Sequence, residues 1–199
     1  MIAAVVLAAG RSTRMGRPKM LLPLADGRPM LAHTVETMER GGVQPIVVVT
    51  GGEAGVAEAA EAAGAEWVQA SGPGGGDMLS SIQSGLRALE GRQAEGGLVV
   101  PGDMPFIRPT TIRTLVQVLM TDRPRLVAPS YARRRGHPVG LAREVWPEVM
   151  ALAPPQSLRD YLRQRSGEIR YVVVDDPGIL KDLDRPDDYD HALDREKAS

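Results

Sequence analysis

Short uncharged runs rich in Val, Ile and Leu recur along the chain, each followed by a stretch with helical periodicity. Ile2–Leu7, Pro45–Thr50 and Gly97–Pro101 are apolar at almost every position, and Glu66–Gln69 reads as a short strand. A strand apolar on both faces belongs inside a parallel sheet covered by helices. The intervening segments supply those helices. Residues 29–40 place Leu31, Val35 and Met38 on one stripe, with Pro29 suited to the first turn and Gly41-Gly42 as a stop. An Ala-rich helix over Gly55–Ala63 is closed by Gly64. Leu79, Ile82, Leu86 and Leu89 mark another helix, and Ile112, Leu115, Val116 and Leu119 the next. Leu126–Ala128 and Pro138–Leu141 read as strands, Leu158, Tyr161 and Leu162 as a helix, and Tyr171–Val174 as a late strand. Alternation of this kind means βαβ units. With no linker, repeat or low-complexity block, residues 1–199 are expected to form one α/β domain with a mostly parallel sheet, fraying over 190–199.

Composition removes several chemistries. There is no cysteine, so disulfides, thiol nucleophiles, Cys-zinc sites and iron–sulfur clusters are out. Three histidines, His33, His137 and His191, are too few for a multi-histidine metal centre. Lys and Arg total 24 against 25 Asp and Glu, which argues against a nucleic-acid wrapper or a polybasic membrane anchor. One Phe and two Trp offer little for stacking single-stranded nucleic acid. The apolar N-terminus lacks a basic leader and falls well short of the ~20 residues of a membrane helix. No nucleic-acid or membrane partner is expected, and the expected location is the cytoplasm.

Ligands of open α/β sheets bind outside the carboxyl ends of the strands. The loop after the first strand, residues 10–19, combines Gly10 and Gly16, the hydroxyls of Ser12 and Thr13, and the cations Arg11, Arg14, Arg17 and Lys19. Backbone N–H groups of such a turn can surround phosphate oxygens while Arg or Lys neutralises them. It has neither the Walker spacing nor G-x-G-x-x-G, and a solvated basic loop is the other reading. Asp103 follows the strand ending at Pro101. A carboxylate there suits a hard cation such as Mg²⁺, and equally an Asp turn before Pro105.

Several segments together carry a resemblance. They are Leu7-Ala8-Ala9-Gly10-x-Ser12-x-Arg14-Met15-Gly16-x-Pro18-Lys19-x-Leu21-Leu22, Pro29-Met30-Leu31-x-His33-x-Val35 and Gly76-x-Met78-x-Ser80-Ser81-Ile82. Gly102-Asp103-Met104-Pro105-Phe106, Gly136-His137-Pro138-Val139 and Asp182-Leu183-Asp184-x-Pro186-x-Asp188-Tyr189 complete them. In this order they resemble the MobA-like nucleotidyltransferases, and within them the molybdenum-cofactor cytidylyltransferase branch. The resemblance implies a Rossmann-like three-layer fold of the nucleotide-diphospho-sugar transferase type. It implies a nucleotide held by Leu7, Ala8, Ala9, Gly10, Arg11, Ser12, Arg14, Lys19, Gly76, Met78, Ser81 and Asp103. Arg14, Lys19 and Asp103 would be the catalytic groups. Mg²⁺, with Mn²⁺ as the substitute, would sit on Asp103 and Asp184, with Asp182 as the neighbour able to replace Asp184. His137, and with it Arg135 and Arg159, would face the acceptor.

The reaction so implied moves CMP from CTP to a phosphate-bearing acceptor such as molybdopterin, releasing pyrophosphate, with a molybdenum hydroxylase as a further partner. An acceptor phosphate is already anionic and needs no strong base, so positioning and charge neutralisation suffice. One departure concerns the acceptor. The family's Gly-Asp-x-Gly-x-Arg motif reads Pro154-Pro155-Gln156-Ser157-Leu158-Arg159 here, matching only at Arg159. Three alternatives stay open: a guanylyltransferase, the cytidylyltransferase of isoprenoid precursors, whose Asp-Ala-Ala-Arg-Pro segment is replaced here by 102–106, and a non-catalytic cofactor- or nucleotide-binding chaperone. His33 reads as a structural helix residue and His191 as a tail residue without a role. Ser80-Ser81 read as opening the helix that follows the glycines, and Arg133–Pro138 as a basic segment open to an anionic acceptor or as an exposed hairpin.

Overall fold

The computed structural model describes residues 1–10, 18–71 and 77–197. Strand β1 (Ile2–Ala8) lies inside the sheet, parallel to β2 (Ile46–Thr50) on one side and to β4 (Gly96–Pro101) on the other. β3 (Glu66–Gln69) pairs parallel outside β2. The second half departs from simple alternation. β7 (Val139–Ala142) runs antiparallel between β4 and β5 (Leu126–Tyr131), and β8 (Ile169–Val173) closes the sheet parallel to β5. The carboxyl ends of β1, β4, β5 and β8 therefore all open on one edge.

The period-2 alternation of a strand is visible in β1. Ile2, Ala4, Val6 and Ala8 enter one core, while Ala3 and Val5 enter the other. The first core is covered by α1 (Met30–Arg40), α2 (Val56–Ala62) and α4 (Pro109–Thr121) through Leu31, Val35, Met38, Val56, Ile112 and Leu115. The second is covered by α3 (Met78–Ala88), α5 (Trp146–Met150) and α6 (Leu158–Gln164). The three-layer α/β arrangement expected from the sequence is the one observed.

Two local features bear on the sequence reading, the first agreeing with one of its two alternatives and the second departing from it. Residues Arg134–Arg135 form a two-residue strand, β6, paired to Ser130 and Tyr131 of β5 through a turn at Ala132 and Arg133. Both turn residues have positive φ, 48° and 62°, as a type I′ hairpin requires, although neither residue type favours it. The basic segment is thus a hairpin arm. The terminal segment expected to fray from Asp190 is instead helical, α7 spanning Pro186–Lys197. Pro186 starts the helix and Asp187 and Asp188 oppose its dipole. Buried Tyr189 anchors it in a third cluster with Leu22, Leu24, Met30 and Leu183, its hydroxyl donating to the Pro23 carbonyl.

Candidate active site

The loop after β1 and the turn after β4 meet at the carboxyl edge. The Gly102 N–H donates to the Leu7 carbonyl at 2.8 Å, and the buried Thr34 hydroxyl of α1 donates to the Gly102 carbonyl at 2.9 Å. Both bonds fix the peptide that precedes Asp103. The Leu183 N–H donates to the Asp103 carbonyl at 3.1 Å, which carries Asp184, remote in sequence, to the same place.

Lys19 opens a short 3-10 turn, Lys19–Leu21, and its side chain is buried. The ammonium donates to Asp103 Oδ2 and, at 2.6 Å, to Asp184 Oδ1. Asp103 is 5% exposed, and its Oδ1 is buried with no hydrogen-bond partner among the described residues. Burial lowers the Lys19 pKa, but the two carboxylates outweigh it and the net shift is upward. Burial raises the pKa of Asp103; Lys19 opposes this, and the charges of Asp184 and Asp182 add to it. Two carboxylates, Asp103 and Asp184, thus share one ammonium, and Asp182 adds its charge to Asp103 from the surface. The donors are all oxygens, the set that hard divalent cations take, and a nucleotide-bound Mg²⁺ needs only one or two protein carboxylates. Asp103 and Asp184 fit such an ion. Among the described residues no cluster of three or more acidic or histidine side chains forms a closed metal cage.

Other expected site residues are placed as follows. Leu7, Ala8, Ala9 and Gly10 lead out of β1 at this edge. Met78 begins α3 and is 69% exposed. Ser81 is buried, its hydroxyl donating to the Asp77 carbonyl at 3.0 Å. The cap of α3 is Asp77, whose carboxylate accepts from the Ser80 N–H at 2.7 Å, and not a serine as read from the sequence. Asp182 is exposed and acts on Asp103 and His137 through its charge alone. Arg135 is exposed on β6 beside His137, and Arg159 is exposed near the start of α6. Arg11, Ser12, Arg14 and Gly76 lie outside the described residues.

His137 sits where two extra residues bulge between β6 and β7. Its N–H donates to the Ile179 carbonyl at 2.9 Å, and its ring Nδ1 is buried with no hydrogen-bond partner among the described residues. Burial, aided by Arg135, lowers its pKa and keeps the ring neutral.

Residues 4–169 match the MobA-like NTP transferase domain. The chain belongs to this family. The bifunctional protein GlmU of Acidithiobacillus ferrooxidans is 39% identical over 117 residues, which are 57% of this chain and 24% of that one. The chain thus spans about a quarter of the length of its GlmU relatives. The 2-C-methyl-D-erythritol 4-phosphate cytidylyltransferase of Pelotomaculum thermopropionicum is 31% identical, covering 93% of this chain and 83% of its own. Rv0371c of Mycobacterium tuberculosis superimposes with a TM-score of 0.81 at 30% identity, over 97% of both chains. Its manganese complex superimposes at 0.76, with 29% identity over 97% of this chain and 98% of that one.

Three elements of this MobA-like site were not read from the sequence. Thr34 looked like one more helix residue, and its bond to Gly102 depends on how α1 lies on the sheet. Asp176, between β8 and Asp182, is 2% exposed and accepts from Arg108 N, Thr111 Oγ1 and Gly178 N at 2.7–2.9 Å. It fixes the segment carrying Asp182 and Asp184 to the start of α4. Third, a groove of about 950 Å³ runs along that segment, lined by His33, Phe106, Arg108, Asp182, Leu183 and His191. His33 also meets Asp26 at 3.0 Å. No helix among the described residues is long and apolar enough to cross a membrane.

Proposed function

We propose that the protein is a nucleotidyltransferase that moves CMP from CTP to a phosphate-bearing acceptor. The observation that carries this reading is the Lys19–Asp103–Asp184 cluster at the carboxyl edge, with one buried carboxylate oxygen of Asp103 that has no hydrogen-bond partner among the described residues. A nucleotide phosphate brought to this edge meets Lys19 and the acidic pair.

In the proposed reaction an acceptor phosphate oxygen forms a bond to the α-phosphorus of CTP. The bond from that phosphorus to the bridging oxygen breaks, and pyrophosphate leaves with the electron pair. Asp103 and Asp184 would hold Mg²⁺ or Mn²⁺, which neutralises triphosphate charge and favours departure of pyrophosphate. The manganese complex of Rv0371c supports divalent-cation use. Arg14 and Lys19 stabilise charge on the α-phosphate and the leaving group. His137, with its buried ring nitrogen, and Arg135 would face the acceptor.

Molybdopterin bearing molybdenum is the acceptor favoured here, on the resemblance of Gly102–Phe106 and Gly136–Val139 to the molybdenum-cofactor branch. The relative named for methylerythritol 4-phosphate supports a second reading with the same chemistry and a different acceptor. Pyrophosphate release measured with CTP, GTP, ATP or UTP against each acceptor tests both. CTP with molybdenum cofactor is expected to be the productive pair, and only with a divalent cation. Release with methylerythritol phosphate alone moves the acceptor, and release with GTP alone refutes cytidylyl transfer. No release with any pair refutes transfer and leaves a nucleotide-binding chaperone.

A further inference from the structure

The two carboxylates that suit a divalent cation already hold one cation, the chain's own ammonium. Lys19 is buried, its Nζ is bound to both Asp103 and Asp184, and it takes one oxygen from each. The two oxygens therefore lie within about two hydrogen-bond lengths of each other, a span that one small ion bridges as readily as one ammonium. Asp103 Oδ1 is the oxygen that Lys19 does not take, and it is buried without a partner among the described residues. A carboxylate buried with half its acceptor capacity unused is costly to the fold. Such a cost persists where function needs the unused oxygen.

We propose that Lys19 is a displaceable counter-ion: in the metal-free protein its ammonium bridges Asp103 and Asp184, and a divalent cation entering the pair competes with it and drives it out of the cluster. This rests on reading Asp103 and Asp184 as the cation site. Two effects follow from simple electrostatics. Without nucleotide, the lysine opposes metal binding, because the incoming ion must break two charge-assisted hydrogen bonds and would otherwise lie against a like charge. With nucleotide, the displaced ammonium has a new anionic partner within reach of its side chain, the triphosphate. Cation binding and nucleotide binding are then coupled through one side chain, and each promotes the other. Asp103, the buried member of the pair, also keeps a counter-charge between turnovers.

The test uses Mn²⁺ alone. Binding to the intact chain is measured from the loss of the free Mn²⁺ electron paramagnetic resonance signal, without nucleotide. Lys19→Met keeps the length and apolar stem of the side chain and removes its charge. It is expected to tighten Mn²⁺ binding by about tenfold, inside the usual range for coupled sites. An unchanged or weakened affinity overturns the proposal, since it would make Lys19 a support that holds the carboxylates for the metal. A second measurement needs no variant. The chain has three lysines, Lys19, Lys181 and Lys197, so acylation by an amine reagent can be read at each by peptide mass spectrometry. Saturating Mn²⁺ is expected to raise labelling of Lys19 several-fold relative to Lys197. Labelling of Lys19 that stays constant while Mn²⁺ binds overturns displacement. Tighter Mn²⁺ binding by Lys19→Met, with no pyrophosphate release by the wild type, would remove the transfer reading and keep the competition. Transfer without tightening would do the reverse.

Discussion

Asp176→Ala should be among the most destabilising single substitutions near the site. Asp176 Oδ2 accepts from the Arg108 N–H at 2.8 Å and the Thr111 hydroxyl at 2.7 Å, and Oδ1 accepts from the Gly178 N–H at 2.9 Å. Thr111 and Gly178 are buried, and a Cβ on Gly178 would lie 2.0 Å from the Phe106 carbonyl oxygen. The turn is packed directly on the main chain beyond Asp103, while Asp176, Gly178 and Arg108 also line the groove, so water can reach part of the turn and the lower end of the donor cost applies. Each buried donor left unmet costs about 1–3 kcal/mol. Three such donors, counted below simple additivity because they share one acceptor, give about 3–5 kcal/mol. For a domain of this size that corresponds to a fall in Tm of roughly 6–20 °C. Asp176→Asn keeps the shape, but its amide NH₂ must face at least one donor, so it should cost less, about 1–2 kcal/mol. Urea unfolding followed by circular dichroism gives both values. A loss below about 1 kcal/mol for the Ala variant, or an Asn variant worse than Ala, would refute the assignment of these bonds as the tie that holds the segment bearing Asp184.

Three further outcomes are expected. Thr34→Val, which preserves shape while leaving the Gly102 carbonyl without its hydroxyl donor, should cost about 1–3 kcal/mol in the same unfolding assay. Gly136→Ala would place a Cβ 2.4 Å from the Ile179 carbonyl oxygen, so backbone must move; a stability loss of about 1–3 kcal/mol in thermal unfolding is expected. Burial lifts the Asp103 pKa above the ordinary 3.8, and protonation removes its capacity to hold a cation. Mn²⁺ affinity should therefore decline on acidification at a higher pH than an exposed carboxylate pair would show, which a pH series of Mn²⁺ titrations reads directly.

Strands β1 to β4 and the helices between them were legible in the sequence because their signals are local. An uncharged run such as Ala3–Leu7 has no other comfortable place than the middle of a covered sheet. The antiparallel insertion of β7 was not legible, since Val139-Gly140-Leu141 presents the same pattern to a neighbour of either direction. Helix α5 was missed because five residues starting Trp146-Pro147 carry too short a period to register. The candidate site divides in the same way. Asp103 stands out by its place just beyond a strand, and Lys19 by its place in the glycine- and cation-containing loop that follows the first strand. That Asp184 and not Asp182 reaches Lys19 is decided in space, where the Leu183 N–H meets the Asp103 carbonyl. Asp176 was invisible among neighbouring aspartates because its partners come from α4, remote in sequence.

The most direct test of the Asp103 site is a calorimetric titration of CTP into the wild type and Asp103→Asn, each with and without Mg²⁺. Mg²⁺ is expected to tighten CTP binding to the wild type by at least about tenfold, in line with coupled ligands, and to have no such effect on the variant. CTP binding that is equally Mg²⁺-dependent in both proteins would contradict the assignment of Asp103 as the residue through which cation and nucleotide are joined.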